Sequence, residues 1–279
     1  MTRALTRSPA ALVGLFLIAS LCLYAAVGPY VSAWSPTDVD YAALSAPPDP
    51  SHWFGTNRIG QDVFAQTARG LQKSLLIGLF VALAGTAFAA LVGTCAGYFG
   101  GWSDRALTFV VDVFLVVPGF LVLVVAAPAL RPAGWVAYAG ALAALGWMLT
   151  ARAVRAMALS LRERPYVTAA RHMGVRPPVI VRRHILPHMT SFLIAHATVS
   201  TAGAVVSEAG LSYAGFGVQP PDVSLGTLIA DSTEAALTYP WMFFFPTGML
   251  LCFVLAVNLV GDALRRALDP SGARAEVPA

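Results

Sequence analysis

Charged residues are scarce in this sequence of 279 residues, at 11% of the chain, whereas an ordinary soluble domain has roughly 25%. Hydrophobic residues make up 57%, and the mean hydropathy is +0.70. These values exclude an ordinary soluble domain and predict an integral membrane protein. The formal net charge of only +4 gives no reason to expect a nucleic acid partner.

Lysine is almost missing, since Lys73 is the only one. A phosphate-binding loop needs Gly directly before its Lys, after a strand, but Gln72 precedes Lys73. We therefore expect no ATP, and no other cofactor, to be bound by this chain. Cys22, Cys95 and Cys252 all lie in apolar runs, so they say nothing about disulfides.

Metal-binding and catalytic patterns are also lacking. His184 and His188 are four residues apart, but residue 185 is Ile and no carboxylate is near. Pro187 is expected to break the helix that would align the two rings. No GxSxG nucleophile turn is present. The sequence thus predicts no metal site and no enzyme.

Long apolar runs are abundant, and about 18 uncharged residues are enough to cross ~30 Å of hydrocarbon as a helix. Five runs carry no charge, and a sixth, 106–130, is interrupted only by Asp112. The uncharged runs are 10–31, 74–98, 132–151, 189–207 and 235–261. The sequence predicts an all-α protein with six transmembrane helices and both termini on one side.

Arg and Lys predict the orientation. If the N-terminus is cytoplasmic, fourteen of these residues lie inside and four outside, as the positive-inside rule expects. The chain is then expected to cross a cell membrane several times, with both termini in the cytoplasm.

The predicted outside segments differ in character. Residues 32–73 are rich in Pro and aromatic residues and long enough to form an ordered cap, in which 61–72 has the spacing of a short interfacial helix. Residues 215–234 form a longer loop. We divide the chain into residues 1–73, a five-helix core at 74–268, and a cytoplasmic tail at 269–279.

Few ionisable residues lie at membrane depth: Asp112, His196 and Glu208. Asp112 is expected to form an ion pair or a helix cap, or else a gate. Glu208, at the predicted outer end of the fifth crossing, could serve gating, docking of a binding protein, or simple solvation. The glycines Gly85, Gly93 and Gly97 suit close helix packing.

The stretch Arg164–Met189 holds five Arg, three of the five His and no carboxylate. Pro165 suits a first helical turn, Ala169, Ala170 and Met173 form a small apolar stripe, and Gly174 is typical of a helix end. We expect a helix, a break and a second helix outside the bilayer. Basic loops facing anionic lipid are the alternative explanation for this charge.

The spacing of Ala169, Ala170, Gly174 and the later HILP resembles the EAA loop of permease subunits in binding-protein-dependent ABC importers. HWFGTNRIGQDVFAQTARGLQKSL, AGYFGGWSD, VVDVFLVVPGFLVLV, EAGLSYAGFGVQPPDVSLGTLIAD and NLVGDALRRALDP are similar, in order, to the C-type permease of dipeptide and oligopeptide importers. One residue departs from the family pattern, because Thr168 stands where the loop normally begins with Glu.

This resemblance implies a type I ABC importer permease (MetI-like) fold with cytoplasmic coupling helices, and a peptide importer as function. The coupling segment is then residues 160–188. Its predicted ATPase contacts are Thr168, Ala169, Ala170, Gly174, Ile185, Leu186 and Pro187.

The partners that the resemblance implies are a homologous B-type permease, two ATPases that use ATP and Mg, an extracytoplasmic binding protein and membrane lipid. Nickel, glutathione, haem or a modified peptide remain alternative substrates. An ion-coupled secondary carrier and a membrane scaffold remain alternative functions.

Overall fold

The protein is described by a computed structural model that covers residues 8–220 and 222–268. These residues form helices joined by turns and loops, with isolated β-bridges but no strand among them. The helices in chain order are α1 (Pro9–Val31), α2 (Val63–Phe99), α3 (Gly101–Val116), α4 (Gly119–Leu130), α5 (Gly134–Gly146), α6 (Met148–Arg162), α7 (Pro165–His172), α8 (Pro177–Ile180), α9 (Leu186–Tyr213), α10 (Leu225–Ser232) and α11 (Pro240–Leu268). The all-α prediction is confirmed.

Several helical stretches are long and apolar enough to cross a membrane, given a rise of about 1.5 Å per residue. Within the described part of the chain there are five: Pro9–Val31, Val63–Phe99, Gly119–Gly146, Pro177–Tyr213 and Pro240–Ala267. Large apolar side chains also point outward from the bundle, among them Phe16, Phe109 and Val125. An outward apolar surface of this kind suits contact with lipid or with another membrane subunit.

The count of five differs from the six predicted runs because the runs 106–130 and 132–151 are each divided into two helices. Val117 has an extended backbone, since the residue before a proline avoids the helical conformation, and Pro118 therefore separates α3 from α4. Trp147 separates α5 from α6. The third apolar stretch runs instead from α4 through a tight turn into α5.

Helix α2 lies at the centre of the bundle and touches α1, α3, α5, α6, α9, α10 and α11. It begins earlier than predicted. Asp62 caps its first turn, accepting a hydrogen bond from the Ala65 backbone N–H at 2.7 Å. The interfacial helix predicted at 61–72 is wrong, because 63–72 form the first turns of α2 and bury Leu71 completely. The junction predicted at residue 73 lies inside this helix.

Two glycines let α2 approach α6 closely. A Cβ atom added at Gly93 would lie 2.5 Å from the Ala151 carbonyl oxygen, and one at Gly97 would lie 2.6 Å from the Ala158 Cβ. Gly85 does not belong with them, because the nearest atom to its added Cβ would be 3.8 Å away. Close packing is thus confirmed at two of the three predicted positions.

The segment between α1 and α2 is ordered, as predicted, and is joined to α11. Phe54 stacks on Phe245 with ring centroids 3.9 Å apart, and the Trp241 indole donates to the Thr56 carbonyl at 3.1 Å. His52 is buried at the centre of this segment, 2.9 Å from the Asp62 carboxylate. The segment therefore forms a fixed cap on one end of the bundle.

Candidate functional site

Helix α7 projects from the end of the bundle that carries the basic stretch. Pro165 occupies its first turn. Gly174 follows its end with φ +74°, the left-handed conformation that glycine adopts without a Cβ penalty. Its N–H donates to the Arg171 carbonyl at 3.0 Å, and the Val175 N–H donates back to the Ala170 carbonyl at 3.1 Å. The predicted glycine stop of this helix is confirmed.

One face of α7 is anchored to the bundle. Val167 and Ala170 are buried in a cluster with Val154 and Ala158 of α6 and with Tyr98 near the end of α2. The Arg171 guanidinium also lies over the Tyr98 ring, 5.9 Å from its centroid. A force applied to α7 therefore acts directly on two long helices of the bundle.

The opposite face of α7 is left uncovered by the other described residues. Ala169 and Gly174 are exposed, and Met173 is 75% exposed. Thr168 is half-buried at the edge between the two faces. The predicted stripe is therefore divided, since Ala170 points into the bundle while Ala169 and Met173 point away from it.

The second half of the coupling segment, residues 177–188, does not form the separate helix that the sequence predicted. Helix α8, a π-helical turn at Val181–Ile185 and α9 form one continuous rod from Pro177 to Tyr213. The Leu186 N–H donates to the Val181 carbonyl, five residues back. The predicted break at Pro187 is wrong, because the proline lies in the first turn of α9, where its missing N–H costs little.

The predicted contacts in this half therefore lie in different environments. Ile185 is fully buried against the core, Leu186 is half-buried, and Pro187 is exposed. The two histidines flank Tyr166, whose ring stacks on His188 at 5.2 Å and lies 6.4 Å from His184. These rings join the start of α7 to the start of α9.

Ion pairs join α3 to α6 near the same end. Arg155 donates to both carboxylate oxygens of Asp104, one of them at 2.6 Å, and this hydrogen bonding lowers the pKa of Asp104 below its ordinary value. Arg152 pairs with Asp112. The ion pair expected for Asp112 is confirmed, whereas the Asp104 pair was missed, because no spacing in the sequence relates two residues on different helices.

Glu208 lies toward the other end of the bundle and is fully buried. Its Oε1 accepts hydrogen bonds from Ser212 at 2.7 Å and from Ser224 at 2.6 Å, while Oε2 has no partner among the described residues. Ser224 also caps α10. The carboxylate thus fastens the start of α10 to α9, and simple solvation of Glu208, one of the predicted alternatives, is wrong.

Two further polar contacts were not found from the sequence. Lys73 pairs with Asp222 at 2.7 Å and lies 4.8 Å from the centre of the Trp135 ring. Nearer the middle of the bundle, His196 Nε2 lies 2.7 Å from Thr150 Oγ1 and 3.0 Å from Ser200 Oγ. His196 and Ser200 are only four residues apart in the sequence. The other contacts link residues far apart in the chain, so only the fold brings them together.

Metal ligands do not gather anywhere in residues 8–220 or 222–268, where no three His, Cys, Asp or Glu side chains are placed to hold an ion. The polar clusters above are hydrogen-bonded pairs and triads that hold helices together. Mechanical coupling between helices is what this arrangement supports.

The family comparison agrees with this arrangement. Residues 66–273 match the model of the binding-protein-dependent transport system inner membrane component, and residues 1–48 match the N-terminal TM domain of oligopeptide transport permease C. The first match alone covers well over half of the chain.

Curated relatives are similar over nearly the full length. The oligopeptide transport system permease protein OppC of Mycobacterium tuberculosis (strain ATCC 25618 / H37Rv) is 46% identical over 97% of this chain and 94% of its own. A putative peptide permease of Brucella suis biovar 1 is 37% identical over 94% of this chain and 87% of its own. OppC of Bacillus subtilis (strain 168) is 33% identical over 93% and 85%.

Among solved structures, an inward-facing conformation of the MetNI methionine ABC transporter contains a chain of the same fold. The TM-score is 0.57 at 23% identity, covering 73% of this chain and 96% of that one. At this identity the likeness concerns the fold, and it confirms the type I importer permease fold predicted from the sequence.

Proposed function

The chain belongs to the family of binding-protein-dependent transport system inner membrane components, and we propose that it is the permease subunit of an ATP-driven importer of short peptides. The observation that carries the proposal is the construction of α7. Its inner face, with Val167 and Ala170, is buried against α2 and α6, while its outer face is exposed among the described residues. Such a helix can receive a force from a partner and pass it to the bundle.

The partners that fit this construction are two ATPases on the α7 side, a homologous permease beside the bundle and a binding protein at the cap. ATP and Mg are used by the ATPases, and this chain binds no cofactor. The α7 end and both termini lie in the cytoplasm of a bacterium, and the cap lies outside. Arg and Lys are distributed as this orientation requires.

The coupling cycle is a rigid-body switch between two packed states. When the ATPases close, they move α7, and because Val167 and Ala170 are embedded in the core, α2 and α6 tilt with it. Ala169, Gly174, Thr168 and Pro187 present the accessible part of the docking surface, whereas Ala170, Ile185 and Leu186 hold its shape from inside. Thr168 takes the place of an acidic contact.

Asp112 and Glu208 fit gating roles on opposite halves of the bundle. The pair between Asp112 and Arg152 joins α3 to α6, so it must adjust when α6 tilts. Glu208 holds the start of α10 through Ser224, so its hydrogen bonds are positioned to keep the cap end closed.

Peptides are the substrate class because the similar curated proteins of Mycobacterium, Brucella and Bacillus are named as peptide or oligopeptide permeases. The test is reconstitution of the chain with its permease partner, ATPases and binding protein in proteoliposomes. We expect uptake of a labelled short peptide that requires ATP and all the subunits. Uptake driven by a proton gradient without ATP would refute the proposal.

A further inference from the structure

A large cavity lies at the cap end of the bundle, opposite α7. Its volume is about 680 Å³, within the range of roughly 300 to 1,000 Å³ that suits a small ligand. The cap, α2, α10 and α11 all contribute to its wall. We propose that this cavity binds a short zwitterionic peptide on its way into the importer, an inference that rests on the proposed function.

One wall of the cavity is a set of amide side chains held in fixed positions. Gln66 is only 6% exposed, and its Nε2 donates to Gln61 Oε1 at 2.6 Å. Asn57 donates to the same oxygen at 3.0 Å, while its own Oδ1 accepts the Gln61 backbone N–H at 2.9 Å. The amide protons of Asn57 and Gln66 are engaged in this network and by the Pro36 carbonyl. Gln61 Nε2 donates to no described residue, so it is the ordered amide donor left for a peptide carbonyl.

Two charges of opposite sign line the cavity and remain available. Arg58 is 3.8 Å from Glu234, with both side chains largely exposed, a distance too long for a hydrogen bond and a pair of little strength. Asp231 has no ion-pair partner within the described residues. The third charged group of the lining, Asp222, is already paired with Lys73. An ammonium group thus suits Asp231, and a carboxylate suits Arg58.

The rest of the lining mixes polar side chains, such as Thr227, with an apolar part. Val63, Leu228, Met242 and Pro246 face the cavity from three helices. A metal cation would be repelled by Arg58 and a polyphosphate by Asp231, and neither would make use of the apolar part of the lining. A peptide with free termini and apolar side chains matches the amides, both charges and the apolar wall together.

The test separates the two termini. Uptake of a leucine-rich tripeptide is measured in the complete importer, with the peptide free, N-acetylated or C-amidated and the same binding protein throughout. Because variants are compared with the wild type for each peptide, the selectivity of the binding protein cancels. Asp231→Asn should lower uptake about tenfold for the free and amidated peptides only, the size of one lost charge-assisted hydrogen bond.

Arg58→Gln should give the complementary result, a loss of about tenfold for the free and acetylated peptides and none for the amidated peptide. Glu234→Gln is the matched control on the same rim. It does not line the cavity, so uptake of all three peptides should stay within about twofold of the wild type.

Equal loss for all three peptides in either cavity variant, or no loss at all, would overturn the assignment of this cavity while leaving the importer function standing. Wild-type complex that carries none of the three peptides would overturn the proposed function itself, and the assignment with it. Copurification of the ATPases with each variant shows that the complex has assembled.

Discussion

Gly174 offers the sharpest test of the exposed face of α7. Its backbone conformation disfavours a side chain, whereas the space around it would admit one. Its φ is +74°, yet an added Cβ would meet no atom of the described residues within 4 Å. A substitution therefore causes no collision with that part of the chain. The cost is conformational, about 1 to 2 kcal/mol for a residue with a Cβ in the left-handed region, and this cost is smaller for Asn, which tolerates that region.

Gly174→Ala and Gly174→Asn then distinguish backbone conformation from bulk. If conformation matters, Gly174→Ala should reduce uptake more than Gly174→Asn, although Ala is the smaller residue. The Ala change should lower the population of the native α7 end roughly 5- to 30-fold. Gly174→Leu combines both effects and should abolish uptake while membrane insertion stays intact. The measurements are peptide uptake and ATPase copurification at equal permease level. Lower uptake by the Asn variant than by the Ala variant would refute the conformational reasoning. Normal uptake by Gly174→Leu would count against the coupling role of α7.

Three further changes test the packing, the buried carboxylate and the basic pair. Gly97→Ala forces its Cβ against α6 and should destabilise the bundle by about 1 to 3 kcal/mol in thermal unfolding. The matched control Gly85→Ala should not, because its added Cβ would meet only the Ala143 carbonyl oxygen at an ordinary contact distance of 3.8 Å. Equal effects of the two changes would contradict the close packing at Gly97. Glu208→Ala leaves the buried Ser212 and Ser224 hydroxyls without their acceptor, and each should cost about 1 to 3 kcal/mol of stability. Glu208→Gln keeps Oε1 as an acceptor and should be less destabilising. A Gln variant less stable than the Ala variant would contradict this hydrogen-bond network. The basic pair Arg182 and Arg183 either contacts an ATPase or anchors the segment to lipid. If the pair contacts an ATPase, as we expect, changing both residues to Ala should abolish ATPase copurification. Retained copurification would assign the pair to lipid.

Several features were predictable because they depend on local chemistry. A run of apolar residues predicts helical structure at membrane depth, and a glycine after an alanine-rich turn predicts a helix end, as at Gly174. The order of the motifs was specific enough to indicate the family. Asp112 was expected to find a partner because an unpaired carboxylate near hydrocarbon is costly.

Other features could not be read from the sequence. The prediction that Pro187 breaks a helix failed because the proline lies in a first turn, after a π-helical turn that a sequence pattern does not reveal. The division of the third and fourth crossings depends on the conformation of Val117 and on Trp147, both within apolar runs. Gly85 looked equivalent to Gly97 because spacing alone does not show how closely a neighbouring helix approaches each glycine.

The sequence by itself determined that this chain is a helical membrane protein of the importer permease family, because hydropathy, charge distribution and short motifs act over a few residues. Only the tertiary structure decided which side chains act together: the burial of Val167 and Ala170 that anchors α7, the hydrogen bonds of Glu208, and the cavity between Arg58 and Asp231. These contacts join residues that the chain separates, and the energy of each depends on distance and burial, which exist only once the helices have packed.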